Sequence, residues 1–203
     1  MSLEIETKLR LPDERTLEKL KSDAAIAAMR MDEPRDIQMR AVYYDTPGHT
    51  LDKRKWTLRL RTENGQSIGT FKSIGTNASG LFSREEYSCL ADTLDGAVEQ
   101  LVMQGAPEEL RSMGPFAERC AVNFTRTACS LQLPDGAVCE MALDRGELTA
   151  EEKRETLLEL ELELLTGEPG SMMELAADLT KRYGLHKELY SKYARALKLL
   201  RTR

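Results

Sequence analysis

With 203 residues, 41% of them apolar and 31% charged, the chain is long enough for one large domain or two small ones and can bury a real core, as soluble globular proteins do. No apolar run reaches the roughly 18 residues needed to span a bilayer, and the opening MSLEIETKLRL has neither a basic n-region nor an apolar h-region, so a cytoplasmic protein without membrane contact is expected. A formal charge of −5 speaks against a nucleic-acid binder built on backbone contacts, and four cysteines without C-x-x-C spacing (Cys89, Cys120, Cys129, Cys139) speak against a zinc knot or redox dithiol.

In chain order, residues 3–11 alternate Leu3, Ile5, Thr7 and Leu9 against Glu4, Glu6, Lys8 and Arg10, the pattern of a strand with one charged side, ended by Pro12. Residues 13–30 open with acids and carry Leu17, Leu20, Ala24 and Ala27 at helical spacing, which predicts an amphipathic helix. Strands are expected at 36–45, 55–63, 66–74 and 81–89, with Asn64-Gly65 and the GTNASG stretch as turns. A helix at 92–104 and a short one at 107–113 interrupt the sheet. Strands then resume at 116–131, 137–148 and 155–165, with Pro134-Asp135-Gly136 as a turn. The chain closes with one helix stopping at Gly184 and a second, basic helix in HKELYSKYARALKLLRTR. Without repeats, low-complexity tracts or Gly/Ser linkers, residues 1–203 read as a single continuous α+β domain dominated by about eight antiparallel strands.

The segment 155–165, ETLLELELELL, carries the chemistry most visibly. Wound as a helix, its leucines would scatter round the circumference. At a period of two Leu158, Leu160, Leu162 and Leu164 face one way, and Glu159, Glu161 and Glu163 face the other. The same segregation recurs along the chain: Glu4, Glu6 and Lys8; Arg59 and Arg61; Lys72; Arg84 and Glu86; Arg126; Glu140 and Asp144. Each face taken singly is what a solvated sheet surface would show. About eight strands can also curl into a barrel, which would turn one face into a lumen. A lumen so charged must be wet and filled with counter-ions, because unpaired buried ions are prohibitive. The carboxylates would need metal ions and the Arg and Lys groups would need anions. With only His49 and His186 present, any metal site has to use oxygen ligands, a donor set suited to Mg²⁺ or Mn²⁺. A triphosphate carrying such a cation satisfies both halves, since guanidinium forks pair with non-bridging phosphate oxygens.

Ordered along the chain stand Glu4-Ile5-Glu6-Thr7-Lys8, Tyr43-Tyr44-Asp45-Thr46, Leu58-Arg59-Leu60-Arg61, Thr70-Phe71-Lys72, Arg84-Glu85-Glu86, Arg126, Glu140 with Asp144-Arg145-Gly146, Leu158 to Glu163, and Ser191-Lys192-Tyr193. In these blocks the chain resembles a CYTH domain, also called a triphosphate tunnel metalloenzyme. The resemblance implies an eight-stranded antiparallel β-barrel, or tunnel, with peripheral α-helices, whose lumen takes a triphosphate and a divalent metal, Mg²⁺ or Mn²⁺. It implies metal ligands among Glu4, Glu6, Glu140, Asp144, Glu159, Glu161 and Glu163, and phosphate-facing cations Lys8, Arg59, Arg61, Lys72, Arg84, Arg126 and Lys192. A bulge in the 116–131 strand would replace Arg126 by Arg119. Catalysis would centre on Glu4, Glu6 and Lys8. The expected activity is metal-dependent hydrolysis of a terminal phosphoryl group, with inorganic triphosphate as leading substrate and ATP or thiamine triphosphate behind it. The family also holds class IV adenylyl cyclases and thiamine triphosphatases, and a noncatalytic polyphosphate or nucleotide sensor is a further alternative. Many family members are homodimers.

For several other residues, some of them inside these blocks, the expected roles are structural: Tyr44 and Asp45 finish a strand and begin a turn, His49 sits in a loop, and Trp56 and Phe71 pack the core or outer wall rather than offering a base-stacking platform. Lys53, Arg54 and Lys55 are expected as a solvated cluster, or at a tunnel mouth where they would draw in polyanions, and Lys187 is expected in solvent.

Overall fold

The computed structural model describes residues 2–78 and 81–201, with side chains for 5–73 and 85–200. The chain runs β1 (Ser2–Arg10), α1 (Glu14–Lys21), α2 (Ala24–Met29), β2 (Arg35–Asp45), α3 (Thr50–Lys53), β3 (Thr57–Glu63), β4 (Gln66–Ala78) and β5 (Leu81–Leu90). It continues through α4 (Leu94–Met103), α5 (Leu110–Met113), β6 (Ala117–Gln132), β7 (Val138–Ala150), β8 (Lys153–Thr166), α6 (Gly170–Tyr183), β9 (His186–Lys187) and α7 (Lys192–Arg201). The described strands pair in the order β5-β4-β3-β2-β6-β7-β8-β1-β9, all antiparallel. In addition β5 returns to pair with β1, Ser2 opposite Glu86 through Glu6 opposite Phe82, so that eight strands form a continuous cycle. The two-residue β9 extends the same edge of β1 at Leu9 and Arg10.

Among the described residues three apolar clusters hold this ring, and two of them lie on its outside. Leu9, Leu143, Leu160 and Leu162 pack beneath α1, α2 and α6 through Leu17, Leu20, Ile26 and Leu179. Leu58, Phe71, Tyr87 and Cys89 pack beneath α3, α4 and α5 through Leu51, Leu101 and Leu110. Trp56 meets Phe71 edge to face at 5.3 Å in that second shell, so both are wall packing. The third cluster is inside. Met39, Ala41, Tyr43, Val122 and Phe124 receive Tyr193, Ala196 and Leu197 of α7, which stops one end of the ring with an apolar surface. All four cysteines are buried free thiols. No helix among the described residues is long and apolar enough to cross a membrane.

Every expected strand forms. The departures are local and have polar causes. The helix expected over 13–30 is two helices, because Asp23 turns its carboxylate back to accept from Ile26 N at 2.9 Å and caps a new start. The basic helix expected from His186 begins only at Lys192. Glu188 N donates to the Lys8 carbonyl and holds 186–188 along β1, and Ser191 Oγ then caps α7 by accepting from Ala194 N at 3.1 Å. Asp45 does finish its strand, and its buried carboxylate accepts from the backbone of Thr46, Leu51 and Asp52 to anchor the unforeseen turn of helix α3. His49 precedes that turn in left-handed conformation, φ 56°. Of the expected GTNASG turn, Gly75–Ala78 belongs to β4 and Ser79-Gly80 lies outside the described residues.

Asp23 also ties the helix pair to α6, accepting from Arg182 Nη1 at 2.5 Å and from the Tyr183 hydroxyl. Burial opposes its ionisation, but the hydrogen bonds from Tyr183 and Ile26 and the charge of Arg182 outweigh it and bring the carboxyl from 3.8 to about 2. A group lowered on folding stabilises above its unfolded value and loses that contribution as pH falls through the folded one. The stability advantage of wild type over Asp23→Asn, measured by urea unfolding, should therefore be full above about pH 4 and shrink towards pH 2.

Candidate active site

The inner face of the ring encloses a cavity of about 320 Å³, the size class of a small-ligand site. Strand alternation delivers its lining. Among the described residues, Lys8, Arg59, Arg61, Lys72, Arg126 and, from α7, Lys192 supply six cations, and Glu6, Glu63, Glu86, Glu140, Glu161 and Glu163 supply six carboxylates.

The acidic bank is fixed by register. β8 lies between β1 and β7, so Glu163 stands opposite both Glu6 and Glu140, and three carboxylates line up on one rung of three adjacent strands. Like charges set opposite one another repel, so this rung depends on nearby cations. Lys8 pairs with Glu6, and Arg126 reaches Glu140 at 3.9 Å.

Deeper in the wall lies a closed ion network. Asp144 and Glu159 face each other across β7 and β8 and are fully buried. With Glu161 they offer oxygens within 4.8 Å of one another, a spacing a divalent ion can bridge. The Lys192 ammonium stands among them instead, 2.8 Å from Asp144, 2.5 Å from Glu159 and 2.7 Å from Glu161. Arg126 grips Asp144 through Nε and Nη2, both at 2.8 Å, and also pairs with Glu161. Arg195, one helical turn beyond Lys192, reaches Glu159 at 3.1 Å and Glu155 at 2.7 Å. Burial pushes the Glu159 carboxyl up to about 7 against the pull of Lys192. Burial acts on Glu161 in the same sense, but Lys192, Arg126 and Lys8 outweigh it and hold that carboxyl well below the usual range.

The opposite bank is cationic. Arg59 and Arg61 project from β3, with Lys72 beside them on β4, where it pairs with Glu86 at 2.7 Å. Arg59 donates to Thr70 Oγ1 at 3.2 Å, and Arg61 pairs with Glu63. Burial, followed by the charges of Arg59 and Arg126, pulls Arg61 down to about 10 despite Glu63. It stays charged at neutral pH, and an anion placed among these groups would relieve the crowding. Beyond them a hollow of about 20 Å³ ends at Tyr193, which stacks on Tyr43 at 5.2 Å; its buried hydroxyl has no hydrogen-bond partner among the described residues.

Of the residues expected in the site, Glu6, Lys8, Arg59, Arg61, Lys72, Arg126, Glu140, Glu161, Glu163 and Lys192 line the cavity. Asp144 and Glu159, expected among metal ligands, sit behind it with their oxygens engaged by Lys192, Arg126 and Arg195, and Lys192, expected to face phosphate, faces them. Glu4 and Arg84 are partners in the β1–β5 pairing, and their side chains lie outside the described set. The bulge foreseen in β6 falls at Arg119, between the pairs Tyr43–Cys120 and Tyr44–Glu118, and Arg126 keeps its inward facing. Glu63 and Arg195 went unforeseen. Glu63 continues the Arg59, Arg61 alternation, and Arg195 follows Lys192 at helical spacing, so both signals were present.

A family profile described as CYTH domain matches residues 2–197. Among curated proteins, an inorganic triphosphatase from Haemophilus influenzae is 29% identical over 147 residues, 68% of this chain and 39% of that protein, so the chain spans about two fifths of this relative's length. Among solved structures, a Hippeastrum protein described as a candidate adenylyl cyclase with a dominant triphosphatase activity aligns with TM-score 0.66 at 21% identity, over 96% of this chain and 95% of that one. The Mimivirus capping enzyme triphosphatase aligns with TM-score 0.50 at 11% identity, over 88% and 89%.

Replacing Lys192 with Met would leave buried carboxylates without their shared cation. The loss of stability in urea unfolding, with no triphosphate present, should be about 3–5 kcal/mol, the range for breaking a buried ion pair from one side.

Proposed function

The chain belongs to the CYTH domain family, and we propose that it is a divalent-metal-dependent triphosphatase whose leading substrate is inorganic triphosphate. The observation that carries this reading is the facing of a cationic bank and a carboxylate rung across one small cavity. The inorganic triphosphatase named among its relatives supports the choice of substrate.

The donor set fits Mg²⁺ or Mn²⁺: Glu6, Glu140 and Glu163 are hard oxygen ligands in register, facing the cavity, and their mutual repulsion is what a cation would remove. We assign these three to the metal, with Glu161 beside them and Glu4 added by its place in the β1 alternation. Asp144 and Glu159 are assigned to holding Lys192. A bound ion of this kind polarises a phosphoryl oxygen and acidifies a water.

Arg59, Arg61 and Lys72 hold the phosphate chain extended, the guanidinium forks pairing with non-bridging oxygens. Lys8 and Arg126, between the two banks, neutralise charge on the departing diphosphate. Most of the rate acceleration is therefore positioning and electrostatics in an enclosed space. No covalent intermediate is needed, in keeping with four buried thiols and two histidines that lie off the cavity lining.

The deciding experiment is a panel: phosphate release from inorganic triphosphate, ATP and thiamine triphosphate with Mg²⁺ or Mn²⁺, with chromatography for cyclic AMP. Inorganic triphosphate should give the highest kcat/KM. Cyclic AMP as main product would replace hydrolysis by cyclisation, and tight triphosphate binding without turnover would make the protein a sensor. Arg61→Ala should lower kcat/KM by about 10²–10³, as loss of one preorganised charge-stabilising donor does. Glu163→Gln should raise the metal concentration needed for half-maximal rate.

A further inference from the structure

The cationic side of the lumen is bounded at both ends. Along β3 the inward positions run Thr57, Arg59, Arg61 and Glu63, in steps of about 6.8 Å. Thr57 lies at the end stopped by α7, where with Tyr43 and Tyr193 it borders the hollow of about 20 Å³. That is room for one water and too little for a phosphate group. Glu63 lies at the other end, the last residue before the Asn64-Gly65 turn. Side-chain exposure rises in its direction, from 9% for Lys192 and 10% for Lys72 to 21% for Arg61, 23% for Glu63 and 29% for Glu140. Glu63 therefore stands at the mouth.

Its place there is fixed. Asn64 and Gly65 take left-handed conformations, φ 47° and 87°, that close a two-residue hairpin. Asn64 Oδ1 accepts from Gln38 N at 3.0 Å and Asn64 N donates to the Gln38 carbonyl at 3.1 Å, so the turn is tied to β2 as well. The Arg61–Glu63 pair consequently has a direction along the strand, guanidinium towards the interior and carboxylate towards the mouth. Beside Glu63 the lining continues with Met39, its partner on β2, and Ile37. A phosphate carried past Arg61 on this bank would meet a carboxylate and two apolar side chains, and would lose water without gaining a counter-charge.

We propose that Glu63 sets the length of phosphate chain the lumen accepts. A triphosphate held on Arg59, Arg61 and Lys72 ends inside the mouth. A fourth phosphoryl group cannot move inward past the Tyr43–Tyr193 stop and is set against the Glu63 carboxylate if it extends outward. The inference deepens the triphosphatase reading and rests on it. A plainer role for Glu63, balancing the charge of Arg61, would act on every polyanion alike, so the two roles differ in the ratio between chain lengths.

The test compares inorganic triphosphate with linear tetraphosphate on the full chain, by calorimetry in EDTA and by kcat/KM with Mg²⁺. Charge alone would make the tetraphosphate the tighter ligand of a cationic lumen. Wild type should instead prefer triphosphate about tenfold. Glu63→Gln should abolish most of that preference, and Glu63→Lys should reverse it. Equal or tighter binding of tetraphosphate by wild type overturns the proposal and leaves the triphosphatase reading standing, as does a preference unchanged in either folded variant. Triphosphate bound but not hydrolysed would overturn the hydrolase reading alone, the chain-length rule then being decided by the binding ratio. If neither compound binds or is turned over, both fall. The wild-type comparison decides by itself should the variants not fold.

Discussion

Charge enclosed by a ring of strands has to be paired or wet, and the architecture follows from that constraint. An eight-stranded cycle has an interior just wide enough to be filled by side chains or by one small ligand. Here the inward positions are given to Lys, Arg and Glu, so the interior cannot serve as the main hydrophobic core. The apolar residues that would normally fill a small barrel are turned outward, under α1, α2 and α6 on one flank and α3, α4 and α5 on the other. The helices are thus what allows the lumen to be polar: they give the leucines of each strand somewhere dry to go.

Within the lumen two kinds of ionic group are distinguishable by their partners. Asp144, Glu159, Lys192, Arg126 and Arg195 satisfy one another in a closed network and fix α7 to β7 and β8. A buried network of this sort is worth little as net stability compared with an apolar replacement, yet losing a single member is expensive. The rung of Glu6, Glu140 and Glu163 and the crowded Arg59 and Arg61 are different: both sit with like charge beside like and face open space. Each bank carries the sign of charge that the other would need as counter-ion, across one small cavity.

Much of this was legible in the letters. The run from Leu157 to Leu164 fixes a strand because no helix could gather its glutamates on one side, and each further strand repeats that segregation. Closure of the ring follows from strand number and from the need to shelter those charges. What the letters did not carry is set by contacts distant in sequence. Whether a glutamate meets metal or lysine depends on where α7 docks, and that depends on the Glu188–Lys8 backbone bond and the Ser191 cap. Asp23 and Asp45 likewise redirect local backbone through side-chain hydrogen bonds, which a pattern of apolar spacing does not register.

The placement of β1 has a consequence for assembly. This opening strand is hydrogen-bonded to β5 on one edge and to β8 on the other, and β8 starts at Lys153. Its partners on the acidic side are therefore synthesised long after it, and the loop their pairing closes takes in most of the chain. The cationic strands β3 and β4 are joined as a local hairpin, whereas the carboxylate rung draws on strands from the two distant ends of the domain. The acidic side of the cavity is thus a long-range feature of the chain and its cationic side a local one.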